Sequence, residues 1–138
     1  MTFLVERLAD LREHVGHLHA LAPRVRDAGA LRADLSLRND VLFSLLVVCQ
    51  AVIDVAGELA SRRGIRFQDY TEAVRALRQV DGVPAALVER LEPLPGFRNV
   101  LVHEYVALDY ERVLRALAEL DAVEEFARAV AALEAKGR

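Results

Sequence analysis

The spacing of apolar residues near the start of the chain predicts an amphipathic helix. Apolar side chains recur there every three or four residues, which places them on one helical face, while charged residues fall mostly between them. Pro23 and Gly29 then mark a weak, interrupted connection to the next element. The apolar face of this first helix consists of Leu4, Leu8, Leu11, Val15 and Leu18.

A second, longer helix is predicted from a cap near Asp34 or Ser36 to an end at Gly64. Residues 42–49 are apolar on almost every side of this helix. Such a helix lies at the centre of a bundle or is shared between a core and a subunit interface. A narrow polar stripe with spacings of four, four and three follows on the same helix, and its members are Gln50, Asp54, Glu58 and Ser61.

A short third helix is predicted after this long one. Asp69 and Glu72 have the three-residue spacing of a capping box, which indicates a helix running to about Val80. The Asp81–Gly82 pair ends it, and Pro84 is well suited to start the following helix.

Two prolines interrupt what would otherwise be one long helix in the last third of the chain. Because proline removes a backbone donor and clashes with the preceding turn, Pro93 and Pro95 predict a kink or break. A fresh helical segment is then expected from Gly96 to about Tyr105. Asp109 caps a single closing helix, whose buried side is Val113, Leu117, Leu120, Val123, Phe126, Val130 and Leu133.

These elements predict an all-α fold, an antiparallel bundle of four main helices and a short one, in a single domain over residues 1–138. Composition agrees, since 54% of the residues are apolar and only seven are Gly and four Pro. The lone Cys49 gives no reason to expect an oxidising compartment. The apolar run Val41–Ala56 is short for a membrane span, and no signal-peptide layout begins the chain. We therefore expect a cytoplasmic protein without membrane contact.

Charge and histidine spacing narrow the possible chemistry. The net charge of −3 argues against a broad basic surface for nucleic acid, although a few arginines can still gather in one cleft. His14, His17 and His19 lie close together, but no carboxylate completes a metal-binding set, so we expect a solvated face there. No metal and no cofactor are predicted.

The segment with the clearest chemical signal is Gly96-Phe97-Arg98-Asn99-Val100-Leu101-Val102-His103-Glu104-Tyr105. It places an arginine, four residues, a histidine, one residue and a tyrosine just before the closing helix. This segment resembles the core pattern Arg-Asn-x-x-x-His-x-Tyr of the HEPN superfamily, and within it the HepT-like toxins. Residues 50–56 are similar to the second-helix signature of that family, and residues 113–117 lie where its closing helix begins. The Pro93/Pro95 pair departs from the usual pattern.

The resemblance implies a metal-independent ribonuclease that acts on RNA. RNA carries its own nucleophile, the 2′-hydroxyl, so the enzyme must supply a base, an acid and a cation. His103 suits the two proton transfers because an unperturbed imidazole has a pKa of about 6.5. Arg98 suits the charge that grows on phosphorus because its planar guanidinium matches two phosphate oxygens. A 2′,3′-cyclic phosphate is the expected product.

Helix geometry predicts that two copies are needed. At about 100° per residue, Arg98 and His103 are about 140° apart around an ideal helix, which presents them poorly to one phosphate. Two such helices meeting at a two-fold axis can line a shared cleft, so we predict a homodimer, as the resemblance also implies. Asn99 and His103 stack at i and i+4, which makes Asn99 a candidate for orienting the imidazole.

The resemblance also implies a regulatory partner. HepT-like toxins are typically encoded beside a minimal nucleotidyltransferase antitoxin, which adds AMP to the tyrosine of the His-x-Tyr element. Tyr105 is therefore the expected modification site. A negatively charged nucleotide two residues from His103 would block and repel an RNA backbone.

Each of these residues also has an ordinary structural interpretation. Arg98 can form a surface ion pair with Glu104 or Asp109, and His103 can be a surface or capping group. Tyr105 can be a packing residue. Asp54 either faces the cleft on the side of Arg98 or belongs to the solvated polar stripe, and we favour the cleft.

Three function hypotheses follow from the sequence. The first is a ribonuclease toxin that acts as a homodimer and is silenced at Tyr105. The second is a non-catalytic HEPN interaction module that pairs with a nucleotidyltransferase, which the acidic composition fits equally well. The third is a helical adaptor unrelated to nucleic acid.

Overall fold

The computed structural model describes residues 2–103 and 107–137, apart from the side chain of Thr2, and in this part every regular element is a helix. Short 3₁₀ turns at Ala22–Arg24 and Ala76–Gln79 supplement the α-helices. The α-helices are α1 (Thr2–Leu21), α2 (Ala28–Ala33), α3 (Leu35–Arg62), α4 (Tyr70–Arg75), α5 (Ala85–Leu91), α6 (Leu94–His103), α7 (Tyr110–Ala118) and α8 (Leu120–Lys136).

Helix α3 is the centre of the bundle and packs against α1, α2, α4 and α6. Of the described helices, it alone has the length and mean hydropathy, 1.9 over 18 residues, of a membrane-spanning segment. Over these 18 residues, 56% of the segment is buried inside the protein. The apolar surface of α3 therefore contributes to the core of the bundle, while the exposed Phe43 lies outside that core.

The helix starts follow the predicted caps. The carboxylates of Asp34, Asp69 and Asp109 each accept a backbone N–H from the first turn of α3, α4 and α7, at 2.8–3.0 Å. The N–H donated by Leu37 lowers the pKa of Asp34 below its ordinary value. These local bonds set where three helices begin.

Glycines end two of the elements. Gly64, with φ of +70°, follows α3 in the left-handed conformation that glycine adopts without strain. Gly82, with φ of +98°, also lies against α8, because an added Cβ would meet Leu133 Cδ2 at 2.9 Å. Both chain reversals occur where the sequence predicted them.

Two parts of the fold differ from the predicted arrangement. The connection after α1 contains a short helix, α2, which Asp27 caps by accepting the N–H of Ala30 at 2.9 Å. The predicted closing helix is divided at Glu119, where Ala122 N–H donates to the Glu119 carbonyl three residues back. The spacing of apolar residues did not predict this division, because the helical repeat continues without interruption from Val113 to Leu120.

The proline pair interrupts the helical segment between α5 and α6, as predicted. Glu92 and Pro93 form the turn, and α6 begins at Leu94, two residues before the predicted Gly96. Pro95 is tolerated because it lies in the first turn, where its missing N–H has no helical partner to lose. The break lets α6 pack against both α3 and α4.

Candidate active site

Helix α6 carries the predicted catalytic segment across the face of α3. Phe97 and Leu101, four residues apart, are buried in the core and anchor the helix. Arg98 follows Phe97, so its side chain leaves the core at the boundary between α6 and α3. His103 is the last residue of α6.

Arg98 is held from three sides. Its Nε donates to Gln50 Oε1 of α3 at 2.9 Å, and its Nη1 donates to Asn99 Oδ1 at 3.2 Å. Its guanidinium also lies 5.6 Å from the ring centroid of Tyr70 at the start of α4, within the range of a cation–π contact. Among the described residues Arg98 forms no ion pair, and Asp109 does not contact it as an acid partner.

Gln50 links Arg98 to Asp54. The Gln50 amide accepts from Arg98 and donates through Nε2 to Asp54 Oδ1 at 2.8 Å. The carboxylate therefore acts on the guanidinium through an amide and not by direct contact. Asp54 lies at the cleft beside Arg98, the placement that we favoured over a solvated stripe.

A cleft of about 350 Å³ opens beside Arg98. Two arginines and two aspartates line it, and Arg7 pairs with Asp10 at 2.6 Å. The formal charges of this cleft cancel, so one copy of the chain offers the guanidinium of Arg98 and not a basic groove. The lining residues are Arg7, Asp10, Leu46, Val47, Gln50, Ala51, Asp54, Arg98 and Val102.

The structure does not bring His103 to Arg98 within one chain. His103 is exposed at the end of α6, and Val102, not His103, lines the cleft. Asn99 is also exposed and bonds to Arg98, and no hydrogen bond joins it to His103 among the described residues. The predicted modification site, Tyr105, lies outside the described residues.

Cys49 lies behind the cleft and is not a nucleophile. Complete burial raises the pKa of its thiol to about 12, and the nearby charge of Arg98 only partly opposes this shift. Because the thiolate is the reactive form, a thiol with this pKa is inert at neutral pH.

The three histidines of α1 each have a separate partner. His14 Nδ1 lies 3.0 Å from Ser44 Oγ, and His17 and His19 pair with Asp40 and Glu124 at 2.8 and 2.7 Å. In the described part of the chain no three metal-ligating side chains converge. These histidines connect α1 to α3 and α8.

Two partners in this site were not predicted from the sequence. Gln50 was assigned to a polar stripe, and its contact with Arg98 crosses 48 residues of sequence. Tyr70 was not singled out, although a tyrosine directly after a helix cap is a visible feature. Nothing in the local sequence around either residue indicates its distance from Arg98.

Solved structures with similar helical bundles show which fold this chain has. The chain superposes with a TM-score of 0.82 on the tri-AMPylated Shewanella oneidensis HEPN toxin in complex with its MNT antitoxin, at 21% identity, covering 96% of this chain and 98% of that one. A toxin–antitoxin structure with AMP-PNP gives 0.79 at 20% identity, covering 94% and 98%. At these identities the likeness shows the fold, and it confirms the predicted all-α HEPN-like bundle.

Sequence comparison then gives the family. Residues 5–130 match the Ribonuclease HepT-like family, and the chain belongs to it. A provisionally named RNase of Archaeoglobus fulgidus is 31% identical over 85 residues, 62% of this chain and 64% of that protein. The mRNA nuclease HepT of Shewanella oneidensis is 25% identical over 92 residues, 66% of this chain and 69% of that one. The predicted family and its ribonuclease class are confirmed.

Proposed function

We propose that this chain is a metal-independent ribonuclease toxin that cleaves RNA at a cleft shared by two copies. The observation that carries the proposal is the geometry of α6. Arg98 is fixed at the cleft by Gln50 and Tyr70, while His103 stands exposed at the end of the same helix. A second copy facing this surface supplies the group that one chain does not bring to its own Arg98.

The chemistry uses Arg98 and His103 in separate roles. Arg98 holds the scissile phosphate and stabilises the charge that develops on its oxygens. An imidazole of His103 takes the proton of the 2′-hydroxyl, whose oxygen attacks phosphorus, and an imidazolium protonates the departing 5′-oxygen. The products are a 2′,3′-cyclic phosphate and a 5′-hydroxyl. Two copies provide two imidazoles, one for each proton transfer.

The proposed regulation acts at Tyr105. In the cytoplasm a nucleotidyltransferase antitoxin transfers AMP from ATP to the hydroxyl of this tyrosine, which releases pyrophosphate and silences the nuclease. The tri-AMPylated state of the similar toxin from Shewanella oneidensis supports this step. A Tyr105→Phe variant is expected to cleave RNA without modification and to stay active after incubation with the antitoxin and ATP, whereas wild type gains the mass of AMP and loses activity.

The test of the nuclease combines chelation with mixing of variants. Purified wild type is incubated with RNA in EDTA, beside Arg98→Ala and His103→Ala, and each preparation is checked for added AMP by intact mass. Wild type cleaves and both variants fail. A dimer formed from the two variants recovers part of the activity if one site takes Arg98 from one copy and His103 from the other.

A second function is favoured by one observation, the cancelling charges in the cleft of a single chain. In that case the chain is a non-catalytic module that binds a nucleotidyltransferase. If wild type carries no AMP and cleaves no RNA in the same assay, the result favours the non-catalytic module and contradicts the nuclease proposal.

A further inference from the structure

A second cavity, of about 210 Å³, lies next to the Arg98 cleft. Asp54 lines both cavities, and Tyr70 lines the second one while its ring contacts Arg98. A ligand in this cavity is therefore adjacent to any phosphate held by Arg98. We call it the aromatic cavity.

Aromatic rings concentrate in this cavity. The sequence has only five Phe and three Tyr, and Phe3, Phe67 and Tyr70 all line it. Phe3 and Tyr70 are each 43% exposed, although apolar rings of this size are usually buried. Exposed aromatic rings next to a phosphate contact are the usual means by which proteins stack unpaired RNA bases.

The absence of a side chain at Gly57 shapes the cavity. An added Cβ at this position would lie 3.3 Å from Phe67 Cζ, so the ring packs directly on the backbone of α3. The Cζ end of the half-buried Phe67 ring therefore approaches the backbone of α3 closely, and the ring lines the cavity. A side chain at position 57 would crowd this ring.

The polar groups of the aromatic cavity are mainly hydrogen-bond acceptors. Asp54 and Glu58 line it, and an ionised carboxylate can only accept. Gln50 is the one described side chain that donates to Asp54, and Arg62 is the one that donates to Glu58. The remaining acceptor capacity of Asp54 favours a base whose edge carries N–H donors, and guanine presents two on neighbouring atoms.

We propose that the aromatic cavity binds the nucleobase next to the phosphate at Arg98, stacks it on Tyr70 and selects guanine through Asp54. This inference rests on the proposed ribonuclease function and names part of its substrate specificity. Phosphate contact at Arg98 carries no base information, so the cavity supplies the preference that Arg98 lacks.

Binding of mononucleotides tests the cavity without requiring cleavage. The probes are the 3′- and 5′-monophosphates of guanosine, adenosine, cytidine and uridine, with ribose 5-phosphate as the ligand that lacks a base, measured by calorimetry or chemical-shift titration. A guanosine monophosphate is expected to bind wild type about tenfold more tightly than its uridine counterpart. Equal affinity for all four nucleotides overturns the proposal.

Substitutions at Tyr70 separate stacking from the placement of Arg98. Tyr70→Ala is expected to weaken guanosine monophosphate binding by about tenfold or more and Tyr70→Phe by about twofold or less. Ribose 5-phosphate is expected to lose clearly less affinity than guanosine monophosphate in Tyr70→Ala, because it lacks the base and depends on Tyr70 only through the placement of Arg98. If Tyr70→Ala weakens both ligands equally, Tyr70 acts only through Arg98 and the base site is wrong.

A matched control exists at Tyr110. It also follows an aspartate cap directly, and the guanidinium of Arg32 lies 5.2 Å from its ring centroid. Tyr110→Ala removes an equivalent cation–π pair away from the cavity and is expected to leave nucleotide discrimination unchanged. Equal losses in Tyr70→Ala and Tyr110→Ala would mean a general loss of stability and would refute the site.

Mapping of cleaved bonds completes the test. Wild type is expected to cut a mixed-sequence RNA with guanine enriched on one side of the scissile phosphate, and Asp54→Asn to reduce that enrichment, since an amide also donates. Cleavage without base preference refutes the aromatic cavity alone. Base-selective binding without any cleavage refutes the nuclease alone.

Discussion

The middle and the end of α6 are built in opposite ways. Arg98 in the middle is held by Gln50 from α3, by the ring of Tyr70 from α4 and by its neighbour Asn99. His103 at the end is exposed, and no described side chain bonds to it. A fixed guanidinium suits phosphate binding, which needs one defined geometry. An exposed imidazole suits a group whose partner arrives with RNA or with a second copy.

The largest expected effect separates the roles of these two residues. His103→Ala is expected to lower RNA cleavage by roughly 10²- to 10⁴-fold, the usual contribution of general acid–base catalysis, while RNA affinity stays near wild type. Arg98→Ala is expected to lower both cleavage and affinity, because it removes the phosphate contact. Cleavage rates in EDTA and fluorescence anisotropy with a labelled RNA measure the two quantities. A His103 variant that weakens RNA affinity as much as the Arg98 variant does would contradict this division.

The next effect tests whether Arg98 must be held. Gln50→Met removes the acceptor of Arg98 Nε with little change of volume. We expect a roughly 10- to 100-fold loss of cleavage, since small misplacements of a catalytic group are costly. Gln79→Met, at an exposed glutamine in the Ala76–Gln79 turn, is the control and should cleave like wild type. If the Gln50 variant keeps full activity, the hydrogen bond is not needed to place Arg98.

The buried thiol of Cys49, behind the cleft, leads to a prediction about how the free energy of unfolding depends on pH. Burial raises the pKa of Cys49 from 9.0 to about 12, so between these values the folded chain keeps a proton that the unfolded chain releases. The free energy of unfolding should therefore fall as pH rises through this window, by up to about 1.4 kcal/mol per pH unit. Below pH 9 this contribution is fully present.

A Cys49→Ala variant separates the contribution of this thiol to the free energy of unfolding from that of other groups that titrate at high pH. Chemical denaturation of both proteins at several pH values from neutral to alkaline should give a steeper decline for wild type. Parallel declines would show that the thiol is not protected in the folded state.

The smallest effect concerns Asn99. In the structure Asn99 supports Arg98 through one 3.2 Å bond at an exposed position, so Asn99→Ala should change cleavage by about threefold or less. The sequence instead predicted that Asn99 orients His103. A loss of tenfold or more, with a shifted pH profile of cleavage, would favour the sequence-based role.

Much of the fold was predictable because it depends on local spacing. Asp34, Asp69 and Asp109 cap helices where the capping pattern indicates, and Pro93 breaks the chain between α5 and α6. The division at Glu119 was not predictable, because a regular spacing of apolar residues does not indicate a change of helix direction. Packing of α7 on α2 and of α8 on α1 and α5 accompanies that change.

The same distinction between local spacing and helix packing applies to the candidate site. Arg98 and His103 were recognisable from a ten-residue segment, since their residue types and spacing match the proposed chemistry. Tyr70 and the contact of Gln50 with Arg98 were not recognisable, since they depend on how α3, α4 and α6 pack. The aromatic cavity also arises from this packing, because Phe3, Phe67 and Tyr70 come from different parts of the chain.

Local sequence patterns were sufficient to predict the helical class, most helix ends and the candidate pair Arg98 and His103. These features follow from interactions within a few residues, such as caps, proline breaks and apolar periodicity. Helix packing, in contrast, places Gln50 and Tyr70 against Arg98 and leaves His103 of the same chain outside the cleft. Those outcomes depend on the packing of helices that are far apart in sequence, and a local pattern contains no information about such distances.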